Sequence, residues 1–330
     1  MPSVKEMILS EEYADLILPV YTGFLEDYKE YGARIFNEYY GIIHYPLAEE
    51  FFQNYYDYGF FYNTVPKLFT LLNSVSLDAS GITAVQNQPV LNLKGRDVLL
   101  GFIDTGISYT HKAFRQKDGS SRIYGIWDQT IQSGTPPYDL QYGSGYTRED
   151  IEQALKAQNP FQIVPSQDEN GHGTFLAGIA AGRQELSGGE AFTGAAPRAF
   201  IAAVKLKPAK QYLRDYYVLP DSAEAYQEND IMMGMKYLLS LARTKKLPLT
   251  ILLALGTNLG SHEGTSPLAQ YLDTISNFPG IITVTAAGNE TGYSHHFFGT
   301  IGTDEEFEDA ELRVAEGETG FTLELWSQEP

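Results

Sequence analysis

The sequence predicts an α/β protein whose central domain is a mostly parallel sheet with helices on both faces. From about Asp97 onward, short apolar segments alternate with helical segments, as in a parallel sheet that is buried on both faces. The expected strands are Val98–Asp104, Phe200–Leu206, Thr250–Leu255 and Ile281–Ala286, and helices are expected to begin near His172, Asp230 and Pro267. The stretches 115–144 and 208–221, which both contain proline, are predicted to be surface excursions.

Two smaller units flank this central domain, which we place at residues 81–301. Residues 1–80 carry many tyrosines among aliphatic residues and predict a small α+β unit with its own aromatic core. Its expected strands are Ala14–Tyr21, Ile42–Pro46 and Lys67–Leu72, with helices at 23–35 and 47–56. Residues 302–330 alternate polar and apolar side chains at 311–314 and 321–326, which is typical of half-buried antiparallel strands, and the pattern stops unfinished at Pro330.

Composition excludes several classes of function. The 330 residues contain 23 Lys and Arg against 42 Asp and Glu, a formal net charge of −19, so we expect no nucleic-acid partner and no membrane-binding surface. The absence of cysteine excludes disulfides, thiolate zinc sites and cysteine nucleophiles. The N-terminus lacks a basic segment followed by an apolar one, so no signal peptide is expected and the chain should stay in the cell that makes it.

The first candidate for chemistry is Asp104, in the segment 101–107 (GFIDTGI). The acid ends an apolar strand and a glycine turn follows at once, and ligands and catalysis collect at that edge of open α/β sheets. The same Asp-Thr-Gly triplet occurs in aspartic proteases, and an aspartate after a strand can simply cap a turn. An aspartic protease half would be all-β, however, and the alternation of strands and helices argues against it.

The second candidate is His172, between two glycines at the start of a helix of small residues (171–182, GHGTFLAGIAAG). The glycines let backbone approach the imidazole, and the positive end of the helix dipole disfavours the imidazolium, which keeps the ring available as a base. The third is Asn289, after the strand 281–286, whose amide can donate a hydrogen bond to a developing oxyanion. Taken singly, a core histidine and a turn asparagine would explain both residues as well.

Together the three motifs resemble the subtilisin family (S8) of serine proteases, in the order Asp-Thr-Gly, Gly-His-Gly-Thr, Ala-Ala-Gly-Asn. The resemblance covers roughly residues 82–300 and extends to Leu255, Gly256 and Thr257, where it places the strand that lines the substrate cleft. Gly256 would let an extended substrate approach closely. More narrowly, the segment 255–262 (LGTNLGSH) and the pair His295-His296 look like the clostridial Csp-type germination subtilases.

The resemblance implies roles for the three residues. His172 would act as general base and then as general acid, Asp104 would hold the imidazole tautomer, and Asn289 would donate to the tetrahedral intermediate. It further implies a protein or peptide substrate, residues 1–80 as an intramolecular pro-domain, a β-sandwich insertion that starts after Gly302, and a cytoplasmic or spore-associated location.

The resemblance requires no cofactor, but the family allows calcium. Asp168 and Glu169, just before the histidine motif, are either calcium ligands or part of a solvated turn, and the sequence does not decide between these alternatives. His295 and His296 could bind a metal, but without a nearby third ligand we expect a structural or substrate-loop role and no metal site.

The motifs do not supply a nucleophile. The family needs a Gly-Thr-Ser-x-Ala segment after the asparagine, and neither Ser294 nor Ser327 lies in that frame. Ser266 precedes Asn289 and is explained more simply as the N-cap of a helix with Pro267 at its first position. We therefore expect these residues to be inactive by themselves. Two explanations stay open: truncation before the serine of an active protease, or a natural pseudoprotease that binds or regulates.

Overall fold

The computed structural model describes residues 2–47, 60–71, 82, 86, 93–185, 191–289, 295–302, 306–318 and 320–326. The helices whose bounds lie within these residues are α1 (Val4–Leu9), α2 (Phe24–Asp27), α3 (Arg148–Lys156), α4 (His172–Ala181), α5 (Gln211–Tyr216), α6 (Glu228–Lys245) and α7 (Pro267–Ser276). The strands are β1 (Tyr13–Pro19), β2 (Arg34–Ile35), β3 (Tyr40–Pro46), β4 (Leu68–Leu71), β5 (Leu99–Asp104), β6 (Ile123–Asp128), β7 (Ser144–Thr147), β8 (Arg183–Glu185), β9 (Ala191–Thr193), β10 (Phe200–Lys205), β11 (Tyr226–Gln227), β12 (Leu249–Leu253), β13 (Leu255–Gly256) and β14 (Ile281–Thr285). Short 3-10 turns lie at Lys29–Tyr31, Tyr62–Thr64, Lys112–Phe114 and Pro160–Gln162.

Within these residues, the central sheet has six strands in the order β14-β12-β5-β10-β6-β7. β7 pairs antiparallel with β6, and the other neighbours pair in parallel. The four strands predicted for this domain are present within two residues of their expected bounds. In the strand register, Lys205 at the end of β10 lies opposite Asp104 of β5 on one side and opposite Asp128 of β6 on the other. The carboxyl ends of these strands therefore share one edge of the sheet.

Helices cover both faces of the central sheet, because side chains alternate between the faces along each strand. On β5, Leu99 and Ile103 belong to the same buried cluster as Leu238 of α6, whereas Phe102 belongs to the cluster that contains Ala177 of α4. The close fit of α6 depends on Gly101, where a Cβ atom would lie 2.6 Å from a methyl carbon of the α6 leucine. The predicted α/β class is confirmed.

The N-terminal unit contains an antiparallel sheet of order β1-β3-β2. The predicted helix at 23–35 is only partly present, because α2 and a single 3-10 turn end at Gly32 and β2 follows. Gly32 takes a φ of 64°, a left-handed conformation that ends the helix. The predicted helix at 47–56 falls almost wholly outside the described residues. The predicted third strand is present as β4, but it pairs with β11 and β13 of the central domain instead.

Both predicted surface excursions contain core elements. Residues 123–128 form β6, and Trp127 on this strand is fully buried. Residues 211–216 form α5, whose Leu213 packs in one buried cluster with Leu16 and Phe24 of the N-terminal unit. The prediction was wrong because each element has only six residues, so its apolar residues show too little periodicity to be recognised.

The strands expected at 311–314 and 321–326 are not formed in the described part of this region. Leu323 and Leu325 are 72% and 96% exposed. An alternating segment becomes a strand when a neighbour takes its hydrogen bonds and covers one face, and the surroundings described here provide neither. The domain limits 1–80, 81–301 and 302–330 stay predictions. None of the described helices is both long enough and apolar enough to cross a membrane.

Candidate catalytic site

The candidate site lies at the edge where the parallel strands of the central sheet end. β5 ends at Asp104, and the neighbouring strands β12 and β14 run in parallel with it and end at the same edge. Asn289 lies just beyond the end of β14 and is exposed. The turn before it contains Gly288, whose φ of 97° favours glycine. The fold therefore brings a carboxylate and a carboxamide to one edge from distant parts of the chain.

Asp104 and His172, 68 residues apart in the sequence, are in direct contact, with Nδ1 of the imidazole 2.7 Å from Oδ1 of the carboxylate. The side chains are 10% and 2% exposed, for the histidine and the aspartate, so water screens the contact little. Oδ1 also accepts the N–H of Thr105 at 2.8 Å, and Oδ2 is buried without a hydrogen-bond partner among the described residues. Because a carboxylate only accepts, Nδ1 carries the proton and Nε2 is the basic nitrogen.

Gly173 lets the first turn of α4 approach the end of β5. A Cβ atom at this position would lie 2.3 Å from the carbonyl oxygen of Gly106 and 3.2 Å from the Cβ of Asp104. The predicted close approach of backbone beside His172 is therefore present at Gly173. Gly171, on the other side, acts differently: it has open space around its Cα but a φ of 90° at the helix N-cap.

Gly173→Ala is expected to separate His172 from Asp104, because the added methyl group meets backbone atoms that cannot rotate away. Overpacking of this kind costs about 1–3 kcal/mol in the free energy of unfolding. The measurement is the NMR resonance of the His172 Nδ1 proton, together with unfolding in urea. Gly178→Ala, in the same helix with nothing within 4 Å of the added Cβ, is the control and should keep the resonance. A resonance unchanged by Gly173→Ala would contradict the packing argument.

The predicted substrate strand is already paired. Leu255 and Gly256 form β13, and they lie opposite Leu71 and Thr70 of β4 in antiparallel register. The other edge of β4 pairs with β11, so a segment of the N-terminal unit lies between two short strands of the central domain. Thr257 follows β13 and lines a cleft of about 570 Å³ that also borders β4. β11 could not be predicted from the sequence, because two residues give no periodic signal.

Ser266 has the structural role that the sequence predicts. Its hydroxyl caps α7 by accepting the N–H of Ala269 at 3.3 Å, and Pro267 occupies the first helical position. The N-cap interpretation is therefore confirmed.

The residues considered for calcium do not fit a calcium site. Both carboxylate oxygens of Asp168 accept hydrogen bonds from protein donors, on Thr105, Gly171 and Thr174. Glu169 pairs with Lys205. Over the described ranges, no group of three or more His, Asp or Glu side chains is placed to hold a metal ion. Of the two adjacent histidines, His296 stacks on His262 with ring centroids 5.2 Å apart.

This chain is similar to known peptidases. Residues 95–311 match the model of the subtilase family, Peptidase_S8. The structure of the Clostridium perfringens CspB protease is similar with a TM-score of 0.54 and 36% sequence identity, over 66% of this chain and 41% of that chain. Subtilisin-like protease SBT2.2 of Arabidopsis thaliana is 33% identical over 126 residues, which are 34% of this chain and 15% of that protein. The chain spans less than half the length of either relative.

Proposed function

This chain belongs to the subtilase family, and we propose that it forms the Asp–His–Asn part of a serine endopeptidase site that acts on a protein or peptide. The observation that carries the proposal is the 2.7 Å contact between His172 and Asp104. In this mechanism Nε2 of His172 takes the proton of a serine hydroxyl as the oxygen attacks the scissile carbonyl, and later returns it to the leaving amine. Asp104 stabilises the imidazolium, and Asn289 donates to the oxyanion.

We also propose that residues 1–80 act as an intramolecular pro-domain. The position of β4 between β11 and β13 supports this, because a peptide substrate would add to the same strands through main-chain hydrogen bonds. A fully buried carboxylate, that of Glu228, holds this segment: its oxygens accept the N–H of Lys67 at 3.1 Å and the N–H of Leu268 at 2.9 Å. Burial raises the pKa of Glu228. The two N–H donors oppose this effect, because they stabilise the charged form of the carboxylate.

The 330 residues contain no Gly-Thr-Ser-x-Ala segment after Asn289, and we propose that they do not hydrolyse peptides by themselves. Loss of the serine from a subtilisin lowers turnover by about 10⁶ and leaves only oxyanion and binding effects. If the full gene product also lacks this segment, the second candidate is a non-catalytic subtilase that binds or regulates. For either one, the resemblance to the Csp-type germination proteases makes spore germination the setting that we propose.

A fluorophosphonate probe distinguishes the two candidates, because it reacts with a hydroxyl that a neighbouring base activates. We expect the full product of the gene that encodes these residues to be labelled at a single serine, and the 330 residues alone to stay unlabelled. His172→Ala in the full product is the control and should abolish labelling. A full product that folds and is not labelled would rule out the enzyme and favour the binding or regulatory protein.

A further inference from the structure

Asp168 contacts both motifs of the candidate site. Its Oδ1 accepts the hydroxyl of Thr105, 63 residues earlier in the chain, at 2.8 Å and the N–H of Gly171 at 2.9 Å. Its Oδ2 accepts the N–H of Thr174 at 2.8 Å and the hydroxyl of the same residue at 2.6 Å. Thr105 directly follows the candidate aspartate, and Gly171 and Thr174 flank the candidate histidine. One half-buried carboxylate therefore bridges the two loops whose side chains must meet.

The two threonine hydroxyls extend this bridge into the main chain. Oγ1 of Thr105 accepts the N–H of Gly173 at 2.9 Å, and Oγ1 of Thr174 accepts the N–H of Ser108, also at 2.9 Å. Each hydroxyl donates its only proton to Asp168 and accepts from a backbone amide, so the direction of every bond in the network is fixed. The loop after β5 and the first turn of α4 are thereby joined at several points.

Asp168 also caps α4, because the N-cap residue Gly171 has no side chain that could do so. A negative charge at this end of a helix is stabilised by the helix dipole. Burial by itself would raise the pKa of Asp168, but the hydrogen bonds from Thr174, Gly171 and Thr105 outweigh it and lower the pKa. The group is therefore a charged acceptor near neutral pH, which strengthens each of its bonds.

We propose that Asp168 is a positioning residue for the imidazole of His172. By fixing Thr105 relative to the first turn of α4, it sets the place of Nδ1 in front of the Asp104 carboxylate. Its importance for hydrolysis rests on the proposed function, but the geometry that it sets is present in the chain without a nucleophile. Asn at this position offers one acceptor oxygen and an NH2 group, so Asp168→Asn must leave at least one main-chain N–H unpaired.

The test is hydrogen exchange of the His172 Nδ1 proton, followed by NMR in the 330-residue chain. Asp168→Asn should make this proton exchange with water about tenfold faster or more, or broaden its resonance beyond detection. Asp118→Asn is the matched control, since Asp118 accepts the N–H and the hydroxyl of Ser120 in a similar local pattern on an exposed turn. The control should exchange as the parent does.

Parental exchange in Asp168→Asn would overturn the proposal. If circular dichroism shows that this variant does not fold, Thr105→Val takes its place, because it keeps the side-chain shape and the cap of α4 while removing both hydrogen bonds of the Thr105 hydroxyl, the one to Asp168 and the one from the N–H of Gly173. Parental exchange in Thr105→Val would overturn the proposal as well. Faster exchange in the variants, combined with a full gene product that no fluorophosphonate labels, would keep the positioning role and remove only the proposed hydrolysis.

Discussion

Asp104→Asn is expected to slow fluorophosphonate labelling of the full gene product by about 10⁴. Asparagine keeps the size of the side chain, but it can turn its NH2 group toward Nδ1 of His172. The imidazole then carries its proton on Nε2, where it cannot accept one from a serine. The expected factor corresponds to about 5.5 kcal/mol of transition-state stabilisation. The measurement is the second-order rate constant of labelling.

Asp128 supplies a matched control for this variant, because it ends β6 at the same edge of the sheet. In the strand register it lies opposite Lys205, on the side of β10 that faces away from Asp104. It is fully buried, and its carboxylate accepts a hydrogen bond from the hydroxyl of Ser166 at 2.6 Å. Asp128→Asn thus makes the same chemical change away from the imidazole, and it should alter the labelling rate less than about tenfold. Equal losses in the two variants would mean that a general disturbance of this edge, and not the loss of the Asp–His contact, limits the reaction.

The edge of the sheet that carries the site could be predicted from the sequence, because the carboxyl ends of parallel strands meet at one edge of a sheet. An apolar segment followed by an acid and a glycine turn marks the carboxyl end of a strand, and this is where Asp104 lies. The prediction for His172 depends on its two glycines, and the structure assigns them different tasks: close approach at Gly173 and a left-handed N-cap at Gly171. The contact distance itself depends on strand register, which no local pattern encodes.

What could not be predicted depends on contacts between residues far apart in the chain. β4 was expected as a strand of the N-terminal unit, and its actual partners β11 and β13 have two residues each, too few for a periodic signal. Asp168 was expected either as a calcium ligand or in a solvated turn, because a network of side-chain hydrogen bonds leaves no repeat in the sequence. Its donors come partly from Thr105, 63 residues away.

The contact between the N-terminal unit and the central domain contains a buried ion pair. Nζ of Lys210 lies 3.0 Å from Oδ1 of Asp15, and the two side chains are 3% and 0% exposed, for the lysine and the aspartate. The same oxygen lies 2.6 Å from Nδ1 of His44, and Oδ2 accepts the amide of Gln227 at 3.0 Å. Lys210 also donates to two main-chain carbonyl oxygens of the N-terminal unit. The carboxylate of Asp15 therefore contacts and balances the ammonium group of Lys210, which belongs to the other unit.

Asp15→Asn is expected to lower the free energy of unfolding by about 3–5 kcal/mol near neutral pH, because it leaves the ammonium group of Lys210 buried without the carboxylate that it contacts. Lys210→Met, added to the first change, removes the second charge and should recover most of the loss. Urea unfolding of the parent, the two single variants and the double variant gives the coupling energy. Losses that simply add would show that the two charges do not stabilise each other.

The loss of stability caused by Asp15→Asn should become smaller as the pH falls. Burial alone would raise the pKa of Asp15, but the attraction of Lys210 and the hydrogen bond from His44 outweigh it, so the pKa lies well below its ordinary value of 3.8. A carboxyl whose pKa is lowered by folding stabilises the fold fully above the unfolded-state pKa and loses that contribution as the pH falls toward the folded-state pKa. The parent and Asp15→Asn should thus differ most above about pH 5 and progressively less below about pH 4. A difference that stays constant from about pH 6 to about pH 3 would mean that shape, and not the charge of Asp15, holds the N-terminal unit in place.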